Sequence, residues 1–370
     1  MKYSLSILAI AVLIFAGLAH WGKGGLLATG QTTIEFWTYA GSGSPARTRQ
    51  FWSEVAKQFE KENPDARVRL VTEINQGNYV QMLSTRVLGG NPPDVMIFDD
   101  NHLPALNVEG LLMPLDDFIA RDLRYRSDEF APSMVADTFV NGRRYSIPWY
   151  GGYLCLFYRT DWFAEAGLQP PKNYAELVEV CRVLREKFKL RYPLAWPPNN
   201  SFTLMPALWQ NGGRILSPDF RKVEVDSPAM YRALERLRDM IYRDKLVDPG
   251  LLTGGSATKL WLNGEAALLL NGSWMIGIFH EQYPALAGKW AAAPEPILGD
   301  RDVHFYGGQH LVLTRKSRHP ELAWKFMVVA TRPEMQARWS DILGAPPGNM
   351  RTLELPGYCD RHPEIGRAHV

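Results

Sequence analysis

Apolar residues recur along this chain with two periods, one of a strand and one of a helix, and the changes between them mark out the elements. Thr33 to Tyr39 (T-I-E-F-W-T-Y) is dense in β-branched and aromatic residues and predicts a first strand. Phe51, Val55 and Phe59 then repeat at helical spacing, and Asn63-Pro64 ends that helix. Arg67 to Val71 predicts a second strand, Tyr79 to Leu88 a second helix, and Val95 to Phe98 a third strand. Strand, helix, strand, helix, strand is the pattern of a parallel α/β sheet. The third strand stops abruptly at Asp99, Asp100, Asn101 and His102. The carboxyl ends of buried parallel strands are where open α/β sheets bind ligands, so this polar edge is the first candidate site.

Farther on, Gly151-Gly152 precedes an apolar strand from Tyr153 to Tyr158. Asn173 and Glu176 form a capping box for a helix that turns Leu177, Val180, Cys181 and Leu184 inward. Ser227-Pro228 opens another helix, with Met230, Leu234, Leu237 and Ile241 inward. Ala266 to Leu270 and Leu311 to Thr314 predict two more strands, and helices follow over Pro320 to Thr331 and Pro333 to Leu343. No internal repeat or low-complexity tract interrupts the order.

Composition narrows the class. A chain of 370 residues with 46% apolar and 22% charged residues is globular and long enough for two domains. Forty-one Lys and Arg against 39 Asp and Glu leave no electrostatic reason for a nucleic-acid or membrane-surface partner. The 12 Trp, 15 Tyr and 16 Phe are an unusual supply of flat faces, useful to a ligand site and to a large core alike. Lys2, the apolar run Leu5 to Leu18 and Gly17-Leu18-Ala19 read as an export signal, with an uncleaved anchor as the alternative. No cysteine follows that run, so no lipid attachment point is expected. Cys155, Cys181 and Cys359 lack any metal or redox spacing and read as unpaired thiols.

Several segments then fall into a familiar order: I-E-F-W-T-Y at the first strand, G-G-N-P-P-D-V-M-I-F-D-D from Gly89, and G-L-L-M-P-L-D-D-F from Gly110. Y-S-I-P-W-Y-G-G-Y-L-C-L-F-Y-R-T-D follows from Tyr145, L-W-Q-N-G-G from Leu208, N-G-E-A-A-L-L-L-N-G-S-W from Asn263 and G-G-Q-H-L-V-L-T from Gly307. Over roughly Thr33 to Met350 the chain resembles the maltose-binding-like extracellular solute-binding proteins of sugar ABC importers. The resemblance implies a two-lobed periplasmic-binding-protein-like fold of type II, each lobe a sheet flanked by helices, with the ligand in the cleft between them. It implies lobe 1 over 32–147 plus 304–344 and lobe 2 over 148–303 plus 345–364, after a signal and leader over 1–31. The crossings would lie near Tyr145 to Pro148, Asp302 to Gly307 and Ala345 to Pro347.

The resemblance also implies the site. It places Phe98 as an aromatic platform, with Asp99, Asp100, Asn101 and His102 along one wall. Asn101 and His102 stand where the family often has a carboxylate and a cation, so the usual pairing with sugar hydroxyls is open here and Asp99 or Asp100 is the substitute. Tyr39, Gly41 and Ser42 would reach the cleft from the first strand. Tyr150, Gly151, Gly152 and above all Trp274 would face them from the other lobe, with Trp209 and Asn211 in a helix of varying role. The competing readings are plain ones: Phe98, Tyr150 and Trp209 as core, Asp99-Asp100 as turn caps, and His102 as a solvated loop residue. Gly41-Ser42-Gly43-Ser44 ahead of a helix would suit a phosphate, or is simply a turn.

The expected function is capture of a carbohydrate and delivery to a membrane ABC permease, by an exported monomer with no cofactor, no metal and no catalysis. A secreted glycoside hydrolase, the main rival, needs two facing carboxylates about 5 to 9 Å apart. Asp99 and Asp100 are neighbours at a strand end and point to different sides. A metal-capture protein would cluster its histidines, and the eight here are dispersed. A ligand such as glycerol phosphate would call for a cationic cleft. The last residues, 365–370 (I-G-R-A-H-V), match one reading frame of a sequencing adapter, so the expectation is a non-native tail and a second lobe cut short near Glu364.

Overall fold

The computed structural model describes residues 31–39, 45–72, 74, 78–198, 201–219, 221–363 and 365. The expected export signal, Gly41, Ser42 and the end of the tail lie outside the described residues. The elements the site needs are β1 (Thr32–Trp37), α1 (Pro45–Glu62), β2 (Ala66–Val71), α2 (Tyr79–Leu88), β3 (Val95–Asp99) and β4 (Ser146–Arg159). They continue with α3 (Tyr174–Phe188), β5 (Leu194–Ala195), α4 (Ser201–Gln210), α5 (Pro228–Arg238), β6 (Leu268–Gly272) and α6 (Met275–Gln282). Last come β7 (Trp290–Pro294), β8 (Tyr306–Leu313), α7 (Pro320–Ala330) and α8 (Pro333–Leu343).

The strands run in the order β2-β1-β3-β8-β4-β6-β5, and β7 pairs with β4 as well. β1 pairs in parallel with both β2 and β3, as the alternating strand–helix pattern predicts. β8 then enters antiparallel between β3 and β4. The central piece is β4. Its 14 residues extend roughly 46 Å at about 3.3 Å each, enough to leave one domain and enter another. Its first half pairs with β8, and its second half with β6 and β7. The sequence pattern predicts only Tyr153 to Tyr158 of this strand. Pro148, Gly151 and Gly152 hide the rest, because they weaken strand propensity wherever packing does not override it.

Two hydrophobic cores sit at the ends of β4. One gathers Ile34, Phe36, Phe51, Trp52, Phe59, Val95 to Phe98, Trp149 and Leu311 to Leu313, closed by α7 and α8. The other gathers Cys155 to Phe157, Leu177, Cys181, Leu184, Ala207, Leu208, Trp261, Leu268 to Leu270 and Phe279. Asn173 caps the helix as expected, its side chain accepting from the Glu176 amide at 3.0 Å, while the Glu176 carboxylate takes the Lys172 amide at 2.8 Å rather than closing a reciprocal box. Cys155 and Cys181 are buried, unpaired thiols.

Residues after Gly344 pass between the two cores. A Cβ on Gly344 would stand 2.8 Å from Gly277 of α6, and one on Gly348 2.4 Å from the Trp149 carbonyl oxygen. Beyond that crossing, where the resemblance allots 345–364 to the second lobe, the described contacts return to the first. Asn349 donates to Glu129 at 2.9 Å and to the Thr331 carbonyl at 3.0 Å, and the Tyr358 hydroxyl meets Ser340 at 2.7 Å. The anchors are the polar groups Ser340 and Asn349, which helical and strand periods do not register.

Candidate functional site

The carboxyl ends of β1 and β3 bring Tyr39 and Asp99 together. The Tyr39 hydroxyl donates to the Asp99 carboxylate, and Gln309 of β8 donates to that same hydroxyl at 2.9 Å. The Gln309 amide also reaches Asp99 at 3.4 Å, and the Asp99 amide donates to the Tyr79 hydroxyl at 3.3 Å. Tyr39 stacks near Tyr79 at 5.8 Å, and His102 meets Tyr79 edge-on at 5.4 Å. Burial and the adjoining Asp99 charge push both phenols far above their ordinary range, so they remain neutral donors.

Asp100 points elsewhere. Its carboxylate accepts the Gly308 amide at 2.6 Å. Burial pushes its pKa up to about 6, with Asp137 adding a repulsive charge, while the Gly308 and Asn101 amides pull it back. Asp137 is itself raised by burial. Asn101 is exposed and His102 half-buried, so the polar edge is divided between a hydrogen-bonded inner part and a solvated outer part.

The floor is made of glycine. Gly151 and Gly152 of β4 lie opposite Gly308 and Gly307 of β8. The missing side chains admit rings: a Cβ on Gly151 would stand 2.8 Å from the Tyr306 ring, and one on Gly308 2.4 Å from its hydroxyl oxygen. Trp274 lies on Gly272 and Gly152, where added Cβ atoms would come within 2.1 and 3.0 Å of the indole. Ser273 holds that indole in place. It is fully buried, its amide donates to the Tyr153 carbonyl at 2.9 Å, and its hydroxyl accepts the Tyr153 amide at 3.3 Å.

Beyond Trp274 the second lobe adds further rings. Phe202, 41% exposed, stands 5.7 Å from Trp274 and 5.0 Å from Phe305. Trp209 lies nearly parallel to Phe305 at 6.1 Å and is half-exposed rather than core. A small cavity of about 30 Å³ opens between Trp196, Phe202, Leu154 and Trp274. Flat faces on one side and hydroxyl, amide and carboxylate groups on the other can hold a ligand with apolar faces and a polar rim.

The expected residues therefore divide. Tyr39, Asp99, Asp100, Gly152 and Trp274 gather around the β4–β8 crossing, with His102 at its edge and Trp209 across the aromatic row. Phe98 is a correction: its side chain has no exposed surface, because β3 is covered on both faces, so it offers no platform. Tyr150 is 4% exposed, with its ring edge-on to Trp339 at 5.7 Å. The Asn211 amide donates back to the Ala207 carbonyl at 2.7 Å, closing the end of α4, and is committed there. Tyr79, Asp137, Phe202, Phe305, Tyr306 and Gln309 join these groups in the fold without a local hydrophobic period that marks them. The doubled glycine in Y-G-G-Q at Tyr306 to Gln309, matching Y-G-G at Tyr150, was the available signal for two of them.

Known proteins place this architecture. The profile of the family described as "Bacterial extracellular solute-binding protein" matches residues 42–337. The arabinooligosaccharide-binding protein of Bacillus subtilis is 27% identical over 361 residues, covering 93% of this chain and 79% of its own. The maltotriose-binding protein of Pyrococcus abyssi is 26% identical over 315 residues, covering 83% of this chain and 65% of its own. Among solved structures, the sugar-binding protein MalE of Xanthomonas citri superposes with a TM-score of 0.77 at 26% identity, covering 91% of this chain and 86% of that one. The maltose-binding type of two-lobed α/β fold is shared with these, and the family consists of binding proteins, not enzymes. This chain belongs to the bacterial extracellular solute-binding proteins.

Proposed function

We propose that the protein captures a carbohydrate between its two lobes, outside the cytoplasm, and hands it to an ABC permease in the membrane. One observation carries this reading: an indole and a phenol packed on the glycines of the β4–β8 crossing, from which Gln309 reaches the Tyr39–Asp99 hydrogen bond. Sugar rings present apolar faces that stack on such rings, and hydroxyls that pair with carboxylates and amides. The names of the relatives, which are binders of arabinooligosaccharide and maltotriose, favour an oligosaccharide over a single sugar. Closing the lobes would bring the Phe202–Phe305–Trp209 row against the far end of such a ligand, since only the closed state makes contacts from both sides.

The test is titration calorimetry on the full chain with arabino- and malto-oligosaccharides of increasing length, beside monosaccharides and glycerol phosphate. Micromolar or tighter binding of an oligosaccharide, weakened at least tenfold in Trp274→Ala, is the expected result. Binding of glycerol phosphate alone, or sugar binding that is indifferent to Trp274→Ala, would overturn the reading.

A further inference from the structure

A second cavity lies away from the cleft. It has a volume of about 290 Å³ and opens at the amino-terminal ends of β1 and β3, the opposite pole of the first lobe from Tyr39 and Asp99. Its wall carries Glu35 of β1, Arg69 of the edge strand β2, Asp94 ahead of β3, and Lys316, Arg318 and His319 between β8 and α7. The antiparallel register of β8 on β3, Leu313 opposite Val95, brings this last segment to the same pole.

The two carboxylates are already occupied. Glu35 is buried and receives Arg69, Arg86 at 3.1 Å and the Trp37 indole N–H at 2.5 Å. Asp94 accepts the Glu35 amide at 2.9 Å and the Ser317 hydroxyl at 2.5 Å. The cations at the rim are differently placed. Lys316 donates to the Val87 carbonyl at 3.3 Å and Arg318 to the Gly90 carbonyl at 3.2 Å, and among the described residues neither meets a carboxylate. Positive charge is thus in excess where the cavity opens. The 11-residue helix α7 begins there too, but Pro320 at its start has no N–H and Glu321 places a carboxylate in its first turn, so the cationic character comes from the side chains.

We propose that this cavity is a second ligand site, on the pole opposite the sugar cleft, which takes a phosphate-type oxyanion between Lys316 and Arg318. Guanidinium and ammonium groups held on neutral carbonyls retain their full charge for an incoming oxyanion, and Arg matches its oxygens in pairs. The volume is near the lower limit for small-molecule sites and suits a phosphate group or a phosphomonoester. That chemistry has two sources, a free phosphate or the headgroup of an anionic lipid.

The experiment measures thermal midpoints of the full chain against inorganic phosphate at constant ionic strength. In parallel, co-sedimentation compares vesicles of equal phosphatidylglycerol and phosphatidylcholine with vesicles of phosphatidylcholine alone. Wild type is expected to respond in at least one arm, and Lys316→Glu/Arg318→Glu to weaken that response at least tenfold while oligosaccharide affinity stays unchanged. A response to phosphate assigns a soluble ligand, and a response confined to anionic vesicles assigns a lipid headgroup. If the reversal pair fails to fold, Lys316→Gln/Arg318→Gln serves, with at least a threefold loss expected. Silence in both arms, or a response equal in the variants, overturns the site without touching the cleft.

Discussion

Asp100 and His310 are two titratable side chains held out of water, with opposite consequences for stability. The Asp100 pKa is raised to about 6 in the folded protein, so its cost is absent below its unfolded value near 3.8 and complete above 6. Asp100→Asn retains an acceptor for the Gly308 amide without the buried charge. It should stabilise the fold by about 1 to 3 kcal/mol at pH 7.5 and by nothing at pH 4, as read from urea melts. A variant equally stable or weaker at pH 7.5 would refute this account of Asp100. His310 is fully buried beside the Ser146 hydroxyl at 2.9 Å, and burial pushes its pKa down to about 3. The folded state then refuses a proton that the unfolded state accepts below pH 6.5, so stability present above that pH is lost at about 1.4 kcal/mol per unit as pH falls toward 3. Between pH 7 and pH 5, wild type is expected to lose about 2 kcal/mol more than His310→Gln. Parallel pH dependence in the two proteins would exclude His310 as the cause.

At the scale of elements, the crossing of β4 and β8 matters most. Its paired glycines let Tyr306 and Trp274 lie on backbone, and nothing larger fits beneath them. Gly308→Ala would put a methyl 2.4 Å from the Tyr306 hydroxyl oxygen and 3.2 Å from the Tyr150 carbonyl oxygen. The ring must move, at a cost of about 1 to 3 kcal/mol typical of overpacking. Chemical denaturation should show that loss, and calorimetry should show at least tenfold weaker sugar binding. Retention of both properties would mean that the glycine floor is incidental. β4 itself belongs to both cores, so its bending at Gly151-Gly152 is the natural route by which the lobes would close.

At the scale of the molecule, an ion pair between described residues links the lobes. Arg47 of α1 stands 3.6 Å from Glu281 of α6, and donates as well to the Ile342 carbonyl at 3.1 Å. Arg47 is 40% exposed, so solvent screens the pair, and Arg47→Gln should change ligand affinity by less than about threefold. Ligand contacts must therefore supply the bias toward closure. Scattering of the free and sugar-saturated protein should show a smaller radius of gyration with sugar, and a ligand at a hundred times its Kd should add about 2.7 kcal/mol of stability. An unchanged radius at saturation would argue against closure.

Local pattern by itself determined the kind and rough bounds of most elements, and the parallel β1–β2–β3 unit, because burial on a helix face or in a strand imposes its period on neighbouring residues. It also singled out the polar ends of β1 and β3 as the candidate edge, and the ordered motifs pointed to the family. Which side chains of that edge are buried and which keep polar groups at the crossing was decided only by tertiary structure. Phe98 looks like a platform until layers on both faces of β3 close over it. Gln309 reaches Tyr39 across 270 residues of chain, and Asp99 across 210, because β8 enters between β3 and β4. No alternation in a single segment encodes such pairing, since strand order depends on contacts that form only after the chain has turned back on itself.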